Sequence, residues 1–408
     1  MDFVVQKYGG TSVGSLERIK RVADHVAVTR SNGVNVVVVV SAMGEQTDEL
    51  IAMARSLSED PPRREVDMLL TAGERITMAL LSIALHERGL KSVSLTGSQS
   101  GILTDETHGN ARIEKILGDR IRQGLDDGAI VIVAGFQGVS PRTREVTTLG
   151  RGGSDLSAVA LASVLGASRC ELYKDVEGVF TADPRIVSDA RKIDSLPWYA
   201  MSELAWAGAN VLHARAAHVA SRFGLIAEIR SSFQPQSRGT IIEPATGVDV
   251  DMSTSKHGLE QATLHAIASK PGMCLLEIES ASDDAIKMNS AVLEFLWNNG
   301  EAPAINQQTG SLTRLFIPEA LAVAIKEGAG SGRFGVKTHS AKISMQGLAA
   351  VTVAGNGFLQ NPEIVAKLLA SASAAGKVLL WDVRNHALMV GVGEKDTAAV
   401  VKAMHGLF

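Results

Sequence analysis

The run Val36–Val40, five consecutive valines, restricts the fold more than any other stretch. β-Branched residues favour extended backbone, and an unbroken apolar run offers no polar face to water. It is therefore read as a strand covered on both sides, and it is far too short to span a bilayer. Covering both sides takes layers above and below, and the flanking segments supply them. Ser15–Arg30 has helical spacing, with Ile19, Val22, Ala23 and Val26 on one stripe. Glu65–Arg88 reads as a long helix, Ser92–Leu95 as a short strand and Ala111–Gln123 as a helix. Ala129–Ala134 is a second continuous apolar strand, Leu156–Leu165 a helix and Arg169–Tyr173 a strand. This exchange of buried strands with helices predicts an α/β sandwich with a mainly parallel central sheet.

In such a sheet, ligands sit outside the carboxyl ends of the strands. Polar and glycine-rich stretches fall at those ends: Lys7–Ser12, Ser41–Asp48, Thr96–Thr104, Gly135–Gly138 and Tyr173–Arg185. In Lys7-Tyr8-Gly9-Gly10-Thr11-Ser12 a lysine precedes paired glycines, two hydroxyls and a helix start. Backbone N–H groups and a helix N-terminus converge on an anion in such a turn, and lysine adds a mobile charge. An ordinary strand-to-helix turn with a solvated lysine fits the same residues. In Gly150-Arg151-Gly152-Gly153-Ser154-Asp155, glycines open a helix and Arg151 can grip a carboxylate in bidentate fashion. Asp155 there is equally a first-turn carboxylate that favours the helix dipole. Glu74 either holds a substrate ammonium or pairs with Arg75 or Lys20 at the surface. Tyr173–Arg185 is either a nucleotide loop or a plain surface loop, and the hydroxyls of Ser41–Thr47 suit a phosphate or a carboxylate.

Composition excludes several classes. Apolar residues make up 45% of the 408 and charged residues 21%, so a sizeable core is available. A net charge of −4 and 4% aromatics give no footing for nucleic acid or membrane binding. Cys170 and Cys274 stand alone, and no His/Cys cluster has metal-ligand spacing. The chain opens on a strand without a signal peptide, and a cytoplasmic location is expected. Beyond Gly239-Thr240-Ile241-Ile242 the character changes. Pro244–His257 reads as a linker, and the remainder divides into two similar halves of short strands and helices. Each half would expose apolar surface alone, so the two are expected to pair as a binding or regulatory module.

Six motifs in series resemble those of aspartate kinases. They are Lys7-Tyr8-Gly9-Gly10-Thr11-Ser12-Val13-Gly14, Val40-Ser41-Ala42-Met43-Gly44, Thr71-Ala72-Gly73-Glu74, Ala134-Gly135-Phe136-Gln137-Gly138, Thr148–Asp155 and Thr181-Ala182-Asp183-Pro184-Arg185. The tail resembles the paired ACT domains of the same family. The resemblance implies an amino-acid-kinase three-layer sandwich followed by two ferredoxin-like ACT domains. It implies a catalytic domain over 1–243, a linker over 244–258, and ACT domains over 259–335 and 336–408, with discontinuous edge elements allowed. It implies phosphorylation of L-aspartate by ATP with Mg²⁺, giving 4-phospho-L-aspartate, and a homodimer formed through the ACT domains. By resemblance Lys7 and Asp155 are catalytic. Arg151 takes the α-carboxylate of aspartate and Glu74 its ammonium, with Ser12, Thr47, Gly152, Gly153 and Ser154 completing the pocket. Lys7, Gly9, Gly10, Ser41, Tyr173, Lys174, Asp175, Phe180, Asp183, Arg185 and Asn210 surround the nucleotide.

The chain departs from the family pattern at named positions. Phe180 stands for a tyrosine and Asn210 for a lysine on the nucleotide side. Ser269 replaces an aspartate before Lys-Pro-Gly, Asn306-Gln307-Gln308 matches the effector motif only in part, and Asp382-Val383-Arg384-Asn385 replaces Ser-Thr-Ser-Glu. Unmatched donors and acceptors are costly in an effector site, so feedback by lysine or threonine is expected to be altered or lost. Two other readings remain open here: a relative acting on another carboxylate such as glutamate, and a weakly catalytic regulatory protein that binds amino acids. A separate subunit made from an internal start near Met252 is also left open.

Overall fold

The computed structural model describes residues 2–245, 262–335 and 338–408. Most of the expected linker, with Met252, lies outside the described residues. The chain forms two compact units. The first comprises Met1–Val179, Lys192–Trp198 and Val211–Pro244, and the second Phe180–Arg191, Tyr199–Asn210 and Ala245–Phe408.

In chain order the elements up to the linker are β1 (Phe3–Tyr8), α1 (Leu16–Ser31), β2 (Asn35–Val40), α2 (Gln46–Leu57), α3 (Arg63–His86), β3 (Ser92–Leu95), β4 (Ile102–Thr104), β5 (Ile113–Ile116), α4 (Asp119–Asp126), β6 (Ile130–Ala134), β7 (Gln137–Val139), β8 (Val146–Thr148), α5 (Gly153–Leu165), β9 (Arg169–Lys174), β10 (Ser195–Pro197), α6 (Trp198–Trp206), α7 (Ala214–Phe223), β11 (Ala227–Ser231) and β12 (Thr240–Glu243). Eight strands make one sheet in the order β10-β12-β11-β9-β1-β2-β6-β3. Every pairing in it is parallel except β11 with β12. A four-stranded sheet, β5-β4-β7-β8, stands beside it.

The valine run is the centre of this sheet, and Val36–Val40 are all fully buried. Strand alternation sends Val36, Val38 and Val40 into one core with Val4, Ile130 and Ile132. There they meet Ile19, Val22, Ala23 and Val26 of α1 and Met78, Leu81 and Leu85 of α3. α3 is long and apolar enough to cross a membrane, yet those residues spend its apolar stripe on the sheet. The opposite face of the sheet is covered by α5, whose residues Gly153–Ala162 are all buried.

One reading of local structure is corrected, and one helix is added. Ala111–Gln123 is not one helix: Ile113–Ile116 pairs with β4 as β5, and α4 starts after Gly118 in a left-handed conformation, φ 70°. Ile113, Ile116 and Ile121 carry a helix-like spacing that strand pairing overrides. The stretch Ser41–Asp48, expected as a polar strand end, also contains the start of α2, a helix the sequence reading did not name. That helix buries none of its residues fully.

The second unit holds β13 (Thr263–Ser280), α8 (Ser282–Asn298), β14 (Ile305–Thr309), β15 (Leu312–Pro318), α9 (Glu319–Gly330), β16 (Thr338–Asn356), α10 (Pro362–Ala375), β17 (Val378–Arg384), β18 (Ala387–Gly393) and α11 (Thr397–His405). Its six strands form one antiparallel sheet in the order β14-β15-β13-β16-β18-β17. Two cores share it. Cys274, Leu276 and Ile278 pack with Met288, Val292 and Leu296 of α8 and Ile325 of α9. Ile267, Val351 and Val353 pack with Leu368 of α10 and Val400, Val401 and Met404 of α11. β13 therefore serves both cores, passing from one to the other where its register against β16 shifts between Lys270 and Met273. Ala182 and Val187 of the loop 180–191 belong to the second core.

Candidate active site

β1 and β9 are neighbours in register, with Lys7 beside Leu172 and Tyr8 beside Tyr173. Alternation then sorts their side chains. Lys7 and Lys174 point to the α5 face, while Tyr8 and Tyr173 point to the α1 and α3 face. On the α5 face, Asp155 in the first turn of the helix meets both lysines. Its Oδ1 lies 2.7 Å from Lys7 Nζ and its Oδ2 2.8 Å from Lys174 Nζ. Asp155 and Lys7 are 4% and 5% exposed, so the three charges interact in a low-dielectric setting. Burial alone would raise the Asp155 pKa, but the ammonium groups of Lys174 and Lys7 outweigh it and hold the carboxyl well below its usual range. Burial lowers the Lys7 pKa, and Asp155 opposes that shift. Two ammonium groups share one carboxylate, so the cluster keeps a net positive charge at the carboxyl end of the sheet.

The turn after β1 frames this charge. Gly9 N donates to Tyr173 O at 3.2 Å and Ser41 N to Tyr8 O at 3.2 Å. A Cβ on Gly9 would stand 3.5 Å from Lys7 Nζ, so its absence leaves open the space above the ammonium. Ser12 is buried and its hydroxyl donates to Tyr173 O at 3.4 Å. Ser154 is buried beside Asp155.

Glu74 approaches from α3. Its Oε1 accepts from Ala42 N at 3.1 Å in the segment after β2. Its Oε2 is buried with no hydrogen-bond partner among the described residues, although the residue is only 3% exposed. Burial pushes its carboxyl up to about 7; the hydrogen bonds it accepts and the nearby Lys7 charge pull the other way. An unsatisfied buried carboxylate oxygen is costly unless a donor arrives, so it is fitted to an incoming cation such as an ammonium.

The remaining expected residues sort clearly. Arg151 is exposed in the loop ahead of α5, Gly152 caps that helix and Gly153 is buried as its first residue. Thr47 is half-buried in the first turn of α2, Ser41 half-buried and Asp175 exposed. Phe180, Asp183, Arg185 and Asn210 belong to the second unit. There Arg185 grips Asp183 with Nη2–Oδ2 at 2.7 Å, and Asn210 is exposed.

Two assignments change. The Tyr173 ring is not beside Lys7: it is fully buried on the other face, stacked on Tyr8 at 4.8 Å, with its hydroxyl donating to Glu171 at 3.0 Å. Any contact it makes with a nucleotide falls to its backbone. Lys174, expected only around the nucleotide, is also the second cation on Asp155. Nothing local in Tyr173-Lys174-Asp175 marks that pairing, which rests on the adjacency of β9 and α5. Asp67 and Arg215, both buried, were missed: Asp67 lies one turn ahead of the Thr71–Glu74 motif and Arg215 a few residues after Asn210, but neither belongs to a motif.

A parallel sheet with a buried Lys–Asp–Lys cluster at its strand ends and a glycine-framed turn above it defines a phosphoryl-transfer enzyme. Residues 2–231 match the model of the amino acid kinase family. An aspartokinase of Geobacillus stearothermophilus is 40% identical over 413 aligned residues, covering 100% of this chain and 97% of the relative. The fold is also that of E. coli aspartokinase III in complex with aspartate and ADP in the R-state, with a TM-score of 0.80, 22% identity and 99% coverage of both chains. The T-state of that enzyme with lysine and aspartate gives a TM-score of 0.71, covering 100% of this chain and 99% of that one. The chain belongs to the aspartokinases, ATP-dependent kinases of amino-acid biosynthesis.

Asp155→Asn should lower stability to urea by about 3 kcal/mol, because it leaves two buried ammonium groups without a carboxylate. The Asp155 pKa is depressed, so its contribution is present at neutral pH and lost as pH falls through the acid range. The deficit of the variant should therefore shrink in acid. Tyr173→Phe should cost about 1–2 kcal/mol in the same measurement, since Glu171 loses a buried donor, while KM for ATP stays unchanged.

Proposed function

We propose that the chain transfers the γ-phosphoryl group of ATP to the side-chain carboxylate of L-aspartate, giving 4-phospho-L-aspartate and ADP. The observation that carries this reading is the Lys7–Asp155–Lys174 cluster opposite a buried, half-satisfied Glu74. One group suits a transferring phosphoryl, the other an α-ammonium. The complex of E. coli aspartokinase III with aspartate and ADP supports the same substrate pair.

A carboxylate oxygen attacks the γ-phosphorus in line, forming an acyl-phosphate P–O bond as the bond to the ADP oxygen breaks. A carboxylate is already ionised, so no base has to remove a proton, and positioning with charge stabilisation dominates. Lys7 meets the charge on the transferring oxygens, and Asp155 holds Lys7 in place. Lys174 keeps Asp155 ionised and adds a second cation. The open space above Gly9 and the backbone N–H of Gly10 suit phosphate oxygens, while the Gly9 N–H, expected as a second donor, is spent on Tyr173 O. Arg151 receives the α-carboxylate and Glu74 the ammonium, with Ser12, Thr47, Gly152, Gly153 and Ser154 shaping the pocket. Ser41, Lys174 and Asp175 serve the nucleotide. Mg²⁺ would arrive on the phosphates, which supply most of its ligands.

In the second unit we read two ACT modules that join a homodimer and carry an altered effector site. Asp382 pairs with Arg384 at 2.9 Å, and Asn306, Gln307 and Gln308 are exposed. Self-satisfied charges at an effector motif favour weakened feedback by lysine or threonine.

With ATP, Mg²⁺ and hydroxylamine, the purified chain should form hydroxamate from aspartate and not from glutamate. Product from glutamate alone would overturn the substrate assignment, and strong inhibition by lysine or threonine would overturn the altered feedback. Because the Glu74 carboxyl sits near 7, it is neutral below that pH and attracts an ammonium only above it. KM for aspartate should therefore fall as pH rises through about 7, and Glu74→Gln should flatten that dependence and raise KM.

A further inference from the structure

The loop from Thr148 to Gly153 connects β8 to α5 and carries Arg151. Two buried charged side chains from different helices close on it. Asp67 of α3 is fully buried. Its Oδ1 accepts from the Thr148 hydroxyl at 2.6 Å and from Gly109 N at 3.1 Å, and its Oδ2 lies 2.6 Å from His108 Nδ1. Arg215 of α7 is 9% exposed. Its Nη1 donates to Leu149 O at 2.7 Å and to Asn110 Oδ1 at 2.6 Å, and its Nη2 to Ala111 O at 2.6 Å. Ala111 N in turn donates to Thr148 O at 2.8 Å. The segment 108–111 and the loop are thus stitched together by one carboxylate and one guanidinium.

The same loop is closed sterically. Gly150 has φ 79°, and a Cβ there would fall 2.7 Å from Asn110 Oδ1. Gly152 has φ 68°, and a Cβ there would fall 2.5 Å from Cβ of His213, two residues ahead of Arg215. Leu149 N donates to Phe136 O at 2.8 Å and Gly153 N to Gly150 O at 2.9 Å. Charge-assisted hydrogen bonds in a dry interior are strong and directional, and a guanidinium fork fixes carbonyl positions in a plane. Against that rigid frame, Arg151 is exposed. Taking two charges out of water is expensive, and using them to hold one short backbone segment implies that the segment's position matters.

We propose that Asp67 and Arg215 are positioning residues for the amino-acid substrate, presetting the Arg151 loop to receive the α-carboxylate. The inference rests on the assignment of Arg151 given above. A misplacement on the order of 1 Å in a substrate-orienting group costs up to about a hundredfold in rate, so a looser loop has a measurable effect.

The test is steady-state kinetics on the full chain carrying Arg215→Lys, Thr148→Val and Arg151→Lys singly, and Arg215→Lys with Arg151→Lys, each checked by thermal melting. Lysine keeps the charge at 215 but cannot span three acceptors, and valine keeps the volume at 148 but removes the donor to Asp67. The expected result is a KM for aspartate raised about tenfold in Arg215→Lys and several-fold in Thr148→Val, with KM for ATP within about twofold. In the Arg151→Lys background, Arg215→Lys should add much less than it does alone. Should Arg215→Lys fail to fold, Thr148→Val carries the test by itself. Folded variants that leave KM for aspartate unchanged, or that raise both KM values alike, overturn the positioning role while Arg151→Lys still raises KM for aspartate. An unchanged KM in Arg151→Lys overturns the assignment of Arg151 itself, and this inference with it.

Discussion

Asp155 stands between two lysines, and the site depends on that one carboxylate. Without it, Lys7 and Lys174 would face each other as two like charges with no carboxylate between them. With it, each ammonium group has a carboxylate oxygen within 2.8 Å. The arrangement demands that β1 and β9 be neighbours and that α5 cross them at its own N-terminus. The parallel sheet satisfies both conditions, and the apolar, fully buried body of α5 keeps the dielectric low around the cluster.

Alternation along β1 and β9 assigns a second task to the residues next door. Tyr8 and Tyr173 stack on the opposite face and share a buried polar cluster with His25, Gln6 and Glu171. Glu171 is held below its usual pKa against burial by Gln6, Arg169 and Tyr173. Every polar group in that cluster has a partner, so it ties the two strands together without exposing a charge to the site. The chemistry on one face thus has a packed, satisfied layer directly behind it.

Much of this was legible in the sequence. The valine run, the apolar stripe of α1 and the continuous strand Ile130–Ala134 announced a covered parallel sheet, because burial on both faces leaves no polar alternation to misread. Lys7, the paired glycines and Asp155 stood out because each lies at a strand or helix end, and Glu74, in the middle of α3, stood out only through its motif. Ala111–Gln123 was misread because three isoleucines imitate a helical stripe that pairing with β4 overrides. The direction of the Tyr173 ring was not legible because a loop motif does not say on which face of a strand its first residue points. The sharing of β13 and β16 between two cores was hidden, since a register shift inside a long strand leaves no mark in composition.

The sequence by itself determined the class of fold and the residues able to bear charge at the strand ends. These follow from local properties: side-chain branching, apolar period and glycine placement. Only the tertiary structure decided which charges meet. The Asp155 partners are 148 and 19 residues away along the chain, from β1 on one side and β9 on the other. Asp67 and Arg215 reach one loop from two helices that share no local pattern. Electrostatic pairing and desolvation depend on distance through space, and chain order carries no record of it.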